Sequence, residues 1–274
     1  MTHDELLSAL DTYYDAVPRS SARVEDFGAL TLFVQQGSGY PYYGRPKVTA
    51  GVTADTATAA DVDAVRARQR ELGVPEAFEW VAENAPSLRA AVEKSGLPVH
   101  EHPLMVLEPG APTPEVPVAD GYTVSVLGAD DPSLPSAAAV PHLAFAESGT
   151  RVGVAGVTEL SAAIAAQDGA RLARTTGRIR DGLTALAAAV AADGLAHCAG
   201  QYNPVGATAE IVGVGTLPSA RRKGLGYAVT AALVADARAH GVTTLFLSAG
   251  DEDVARIYAR LGFRRVGTAL IAEA

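Results

Sequence analysis

Cysteine is nearly absent: Cys198 is the only one in 274 residues, so the chain has no pair to form an internal disulfide. Apolar runs such as Leu183–Ala192 fall far short of the ~20 residues that span a bilayer, so no membrane segment is expected. The start, Met-Thr-His-Asp-Glu, lacks the basic and apolar regions of a secretory signal, and a cytoplasmic protein is the expectation. Positive charge is also short, with 22 Lys and Arg against 31 Asp and Glu. Without a basic excess to meet phosphodiesters, nucleic-acid binding is not expected. The deficit lies mainly in residues 1–118, which hold 17 acidic and 9 basic side chains, against 14 and 13 in 119–274. Ordinary solubility accounts for this imbalance, with attraction of a cationic partner to the acidic half as the alternative. Two phosphate-binding patterns are missing: G-x-x-x-x-G-K-[ST], and G-x-G-x-x-G after a strand. The Ala-rich, Lys-poor composition suggests a GC-rich bacterial genome.

What is present suffices for a sizeable core: 48% hydrophobic residues and a mean hydropathy of +0.13. Asp4 to Val17 has Leu6, Leu7, Leu10 and Tyr14 at helical spacing. Ala29 to Val34 reads as a strand, followed by a turn-rich aromatic loop over 37–46. Ala60 to Leu72 reads as a helix stopped by Gly73, Pro75 to Val81 as a strand with the only Trp, and Pro86 to Ser95 as a helix. Val99 to Leu107 is a further strand. The proline-rich stretch over 109–118 reads as a linker, dividing a domain at 1–108 from one at 119–274. Beyond it come a strand from Gly121 to Leu127 and one or two helices within Pro141 to Gln167. Leu183–Ala192 and Leu195–Tyr202 form a hairpin around Asp193-Gly194.

The chain is organised around Ala209 to Phe263: apolar strand, Arg/Gly turn, helix to His240, strand, helix. Glycines let the backbone approach a ligand closely, and the free N–H groups of a first helical turn suit an anion. The turn reads Arg221-x-x-Gly224-x-Gly226, and Tyr258 stands four residues before Gly262 in a Leu-Gly-Phe ending. These features resemble the GNAT acyltransferase superfamily, whose signature is [QR]-x-x-G-x-[GA] between strand and helix. The resemblance covers roughly 121–274 and is sharpest from Glu210 onward.

The resemblance implies an α/β (α+β) GNAT fold, a mixed, mostly antiparallel sheet flanked by helices. It implies an N-acetyltransferase moving acetyl directly from acetyl-CoA to an amine, with no covalent acyl-enzyme and no metal. Backbone amides from Arg221 through Arg222, Lys223, Gly224, Leu225 and Gly226 to Tyr227 would bind pyrophosphate, with Arg221 and Arg222 pairing to phosphates. Main-chain groups of Val214, Gly215 and Thr216 would bond the pantetheine arm. Glu210, 14 residues before Gly224, matches the family's general base, and Tyr258 its general acid. Strand alternation puts Glu210, Val212, Val214 and Thr216 on one face, where apolar neighbours would raise the carboxyl pKa. Asp251 departs from the family's usual Asn at a cofactor-contact position. His142, Phe145, Glu147 and Arg151 are candidates for the acceptor wall, with surface packing as the alternative for each. The acceptor stays open among small amines, amino acids, antibiotics and peptide N-termini, and so does the oligomeric state. The alternative function is a silent sensor binding CoA or acyl-CoA.

The first half echoes the second faintly. A shift of 166 lays Gly96 on Gly262 and Val92 on Tyr258. A shift of 168 lays Thr53, Thr56 and Thr58 on Arg221, Gly224 and Gly226. The reading is a second, degenerate GNAT-like domain that binds no cofactor, with an unrelated α+β cap as the alternative. Minor candidates are a metal at His100 and His102, a nucleophilic Cys198 beside His197, and an aromatic pocket wall from Tyr40, Tyr42 and Tyr43. Two histidines do not make a metal site, and Cys198 has no partner forming a triad.

Overall fold

Thr2 and Glu5 close the start of the first helix: the Thr2 hydroxyl accepts from the Glu5 amide at 3.2 Å, and the Glu5 carboxylate accepts from the Thr2 amide at 2.7 Å. The computed structural model describes residues 1–37, 41–108, 110–112, 115–147 and 149–274. The expected linker is therefore described only in part, and Tyr40 lies outside the described residues. Among the described residues no helix is long and apolar enough to cross a membrane. The chain divides into two compact units. Unit 1 is Met1–Met105, Ser248–Asp251 and Arg265–Ala274, and unit 2 is Val106–Leu247 and Glu252–Arg264.

Unit 1 begins with α1 (His3–Arg19), then β1 (Ala22–Phe27) and β2 (Leu30–Gln35), an antiparallel pair turning at Gly28. Next come β3 (Gly44–Pro46), a short ladder of β4 (Val48–Thr49) and β5 (Val52–Thr53), and α2 (Ala59–Leu72). Gly73 ends α2 in the left-handed region at φ 65°. After it come β6 (Ala77–Val81), α3 (Leu88–Lys94) and β7 (Val99–Leu107). β2 and β3 are antiparallel, and β3 and β6 are parallel. Leu30, Leu32, Val62, Val65, Phe78 and Trp80 form one buried core. Each such side chain contributes roughly 1.5–3 kcal/mol. Arg45 is fully buried and bonds the Asp11 carboxylate on α1, which also accepts from Thr53.

Unit 2 contains β8 (Tyr122–Val126), α4 (Leu134–Ala146), α5 (Val157–Ala165), α6 (Gly169–Arg180), β9 (Ala185–Ala191), β10 (Ala196–Val205) and β11 (Thr208–Thr216). A 3-10 turn (Pro218–Ala220), α7 (Leu225–Ala239), β12 (Thr244–Ser248), α8 (Glu252–Ala259) and β13 (Phe263–Glu273) complete the chain. Its strands run in the order β12-β11-β10-β9-β8; β11 and β12 are parallel and the other neighbours antiparallel. Leu225, Val229, Leu233 and Val234 bury the apolar stripe of α7. The ten residues 265–274 belong to unit 1, where the end of β13 pairs with β6 in register Ala269↔Val81 to Glu273↔Ala77.

Two helical details differ from expectation. α4 begins at Leu134, so Pro141 lies inside it rather than at its start. A proline after a mixed stretch reads as a first-turn residue, although the preceding Ser-Ala-Ala-Ala supports helix. α6 has four arginines, no acid and no buried residue, so its weak core pattern left little to detect.

Candidate functional site

The site is built on β11, whose pairing changes along its length. Thr208, Ala209 and Glu210 pair with Thr244, Leu245 and Phe246 of β12, and there the parallel register stops. β11 runs on to Thr216, and among the described residues its pairing with β12 covers only Thr208–Glu210, which leaves the edge from Ile211 onward available for a ligand's hydrogen bonds. On the other edge the register with β10 shifts: Val212 faces Gln201, whereas Gly215 faces Ala199. One extra β11 residue sits at Gly213–Val214, with Gly213 at φ 66°. A bulge with a glycine in the left-handed region reverses strand alternation beyond it.

The reversal corrects the single-face reading of this strand. A Cβ on Gly200 would meet the Val214 side chain at 2.8 Å and Leu233 of α7 at 3.4 Å. A Cβ on Gly226 would meet Thr216 Oγ1 at 3.5 Å. Val214 and Thr216 therefore face α7. Gly215 faces α4, where its Cβ would lie 2.9 Å from both Pro141 Cα and Ala144 Cβ. Glu210 and Val212 share that α4 face through the register with Asn203 and Gln201. Glu210 is half-buried at the point where the ladder opens.

Tyr258 lies on α8 and packs edge-on against Phe263, with ring centroids 6.0 Å apart. Burial pushes its phenol well above the ordinary range, and the nearby Cys198 thiol adds to this. Such a phenol keeps its proton at neutral pH. Cys198 is fully buried and accepts from Thr216 Oγ1 at 3.3 Å. Burial raises its thiol to about 12, so little thiolate exists at neutral pH and a nucleophilic role is unsupported. Cys198 and Thr216 are partners on the α7 side of the sheet. Cys198, which acts on the Tyr258 phenol, therefore lies on the face opposite Glu210.

The turn after β11 leads to the start of α7. Arg222 has φ 70° and Gly224 φ 76°. A non-glycine residue in that region costs about 1 kcal/mol, and such strain is characteristic of ligand loops. Gly224 is the N-cap of α7 and supplies no side-chain hydrogen bond, leaving the amides of the first turn for another acceptor. The start of α2, by contrast, is closed: Thr58 Oγ1 accepts from the Asp61 amide, and the Asp61 carboxylate accepts from the Thr58 amide at 2.8 Å.

Side chains around the loop are arranged in ways the residue pattern did not reveal. The Arg221 guanidinium donates to the carbonyls of Ala144 at 2.8 Å, Glu147 at 2.6 Å and Arg151 at 3.2 Å. Arg222 and Lys223 are exposed. Lys223 Nζ lies 3.2 Å from the Tyr122 hydroxyl, which is also hydrogen-bonded to His197 Nδ1 at 3.1 Å. Tyr227 donates to the Arg260 carbonyl at 2.9 Å. Asp251 is exposed immediately before α8. Nothing in local spacing links Tyr122 to Lys223 across a hundred residues. Gly213 was detectable as one of two alternating glycines in a strand.

Of the acceptor-wall candidates, Glu147 is committed structurally. Its carboxylate accepts from the Ala155 amide at 2.7 Å and the Val154 amide at 3.0 Å, which holds its pKa below the usual range. His142 and Arg151 are exposed, and Phe145 is 64% exposed. His102 Nδ1 meets the Ala249 carbonyl at 3.2 Å. Among the described residues no group of three or more His, Cys, Asp or Glu is placed to hold a metal.

Residues 194–263 match the model of the acetyltransferase (GNAT) family. No curated protein matches the sequence. The fold is similar to that of a GCN5-related N-acetyltransferase from Kribbella flavida, with 21% identity, a TM-score of 0.69, and coverage of 97% of this chain and 95% of that one. A tandem GNAT protein from the clavulanic acid biosynthesis pathway is similar at 16% identity and a TM-score of 0.56, covering 89% of this chain and 78% of that one. A GCN5-related N-acetyltransferase-like protein from Streptococcus suis matches over all of both chains, at 10% identity and a TM-score of 0.54. The splayed β11, the bulge and the open α7 start thus lie in the segment, 194–263, that matches the GNAT family model, within a chain whose fold is similar to that of GNAT proteins.

Proposed function

We propose that this protein is an N-acetyltransferase that moves acetyl from acetyl-CoA directly to an amine. The observation carrying the reading is the opening of β11 from β12 at Glu210, continued into a helix start that has no side-chain cap. A ligand with an extended amide-bearing arm and a diphosphate fits this arrangement. The open edge at Val214, Gly215 and Thr216 offers main-chain bonds to the arm. The amides from Arg222 to Tyr227 and the helix dipole favour the diphosphate, with Arg222 and Lys223 adding positive charge. Asp251, exposed before α8, remains a candidate contact.

Acetyl-CoA supplies an activated thioester whose bond to sulfur breaks as the new amide bond forms. Glu210, from the α4 side, accepts the proton that the attacking amine loses. Tyr258 donates its phenolic proton to the departing sulfur, and burial keeps that proton in place beforehand. The acceptor is a small-molecule or peptide amine. Residues 1–108 are read as the degenerate copy, and the Thr58–Asp61 box that occupies the α2 start supports one donor site per chain.

Calorimetric titration of acetyl-CoA tests the reading. One site per chain is expected, with affinity reduced by about tenfold or more in Gly224→Asp, which adds a side chain at positive φ and a carboxylate at the helix start. Release of free thiol on mixing with an amine panel then tests transfer. Absence of acetyl-CoA binding would sink the reading.

A further inference from the structure

An arginine at the edge of a phosphate-binding turn is ordinarily assigned to the phosphates. Here the Arg221 guanidinium is already occupied by the Ala144, Glu147 and Arg151 carbonyls. Ala144 and Glu147 mark the C-terminal end of α4, where carbonyls lack intrahelical partners and the helix dipole is negative. Turning Arg221 toward a phosphate would strip these carbonyls of their charged donor.

The same segment is fastened at further points. Gly153 donates to the Pro218 carbonyl at 3.0 Å, and Ser219 donates to the Ala155 carbonyl at 3.0 Å. The Glu147 carboxylate holds the Val154 and Ala155 amides. Gly153 packs closely at this junction: a Cβ there would lie 2.2 Å from Glu147 Oε2 and 2.8 Å from Pro218 Cβ. The 3-10 turn before the donor loop and residues 151–155 therefore form one hydrogen-bonded piece, with Arg221 spanning it to α4.

We propose that Arg221 is a positioning residue for acetyl transfer rather than a phosphate ligand, its guanidinium locking residues 151–155 and the end of α4 against the donor loop. The proposal rests on reading 221–227 as that loop. Ligand held by the loop amides immobilises Pro218 and Arg221 through the backbone, and this order passes to residues 151–155 through the lock. The donor loop and the α4 side of the site are then set together.

Amide hydrogen exchange and calorimetry on the full chain test this, using wild type, Arg221→Met and Arg221→Lys. In the unliganded protein, Arg221→Met should speed exchange at Gly153 and Ala155 by roughly tenfold or more, and Arg221→Lys should restore part of the protection. Acetyl-CoA should slow exchange at these amides in wild type and not in Arg221→Met. Its affinity should fall no more than about threefold, with no loss of its preference over S-acetylpantetheine, which lacks the diphosphate. Should Arg221→Met fail to fold, Glu147→Gln probes the piece from its other end: exchange at Val154 and Ala155 should rise while acetyl-CoA affinity is kept. A selective loss of acetyl-CoA affinity in Arg221→Met, with exchange at Gly153 and Ala155 unchanged, would overturn the proposal. If wild type binds no acetyl-CoA, the donor-loop reading fails, whereas the unliganded exchange still shows whether Arg221 locks the segment.

Discussion

Glu210 and Phe246 form the last pair of the parallel ladder between β11 and β12. Among the described residues no pairing of the two strands follows it, so Glu210 is the last β11 residue before they part. Glu210→Gln keeps the shape and removes the proton acceptor. With an amine that supports turnover, kcat/KM should fall by about 10²–10⁴, while acetyl-CoA affinity changes less than about twofold. Thiol-release kinetics beside calorimetry separates the two. Equal loss of binding and rate would give Glu210 a structural role instead.

Desolvation of the half-buried Tyr258 raises its phenol pKa well above the ordinary range. A general acid works while protonated, so its ionisation should produce no alkaline fall in kcat below about pH 10. Tyr258→Phe should lower kcat by about 10²-fold and leave acetyl-CoA affinity near that of wild type. The pH–rate profile of wild type and the single-pH rates of Tyr258→Phe check both statements.

Gly215 is pinned between β11 and α4. A methyl at this position would lie 2.9 Å from Pro141 Cα, a backbone atom that cannot swing aside. Gly215→Ala should destabilise the protein by about 1–3 kcal/mol and lower acetyl-CoA affinity, because α4 must retreat from the open strand. Urea unfolding and calorimetry measure the two effects. Unchanged stability would show that α4 yields freely.

In unit 1, burial raises Glu79 from near 4.5 to about 7, with Arg45 opposing the rise and Glu273 adding to it. The folded state therefore holds this proton more tightly than the unfolded chain. Its contribution is complete below about pH 4.5 and is lost as pH climbs through about 7, on the order of 2–3 kcal/mol in all. Glu79→Gln should flatten this part of the stability–pH curve and leave the variant more stable than wild type at pH 8. Parallel urea curves from pH 4.5 to 8 read it directly.

Much of the fold was legible because it rests on local patterns. The leucines of α1, the Gly73 stop of α2, the Asp193-Gly194 turn and the run Val99–Leu107 each carry their own signal. The site was legible as composition: Arg221, Gly224 and Gly226 in a strand–helix turn, with Glu210 before them and Tyr258 after. Its handedness was not. Simple alternation put Thr216 beside Glu210, and the bulge at Gly213 placed them on opposite faces. A bulge is set by the partner strand as much as by its own residues.

The amino-acid order alone determined where most of the helices and strands fall, that the turn into α7 carries Gly224 and Gly226, and which residue types stand ready for proton transfer. These depend on neighbours a few positions apart, through backbone preference and periodicity. Tertiary structure decided that Arg221 serves α4, that Lys223 meets Tyr122, that Glu210 stands where two strands part, and that residues 265–274 belong with the first unit. Those relations depend on which segments pack together. Packing energy is summed over contacts far apart in the chain, and no local window contains it.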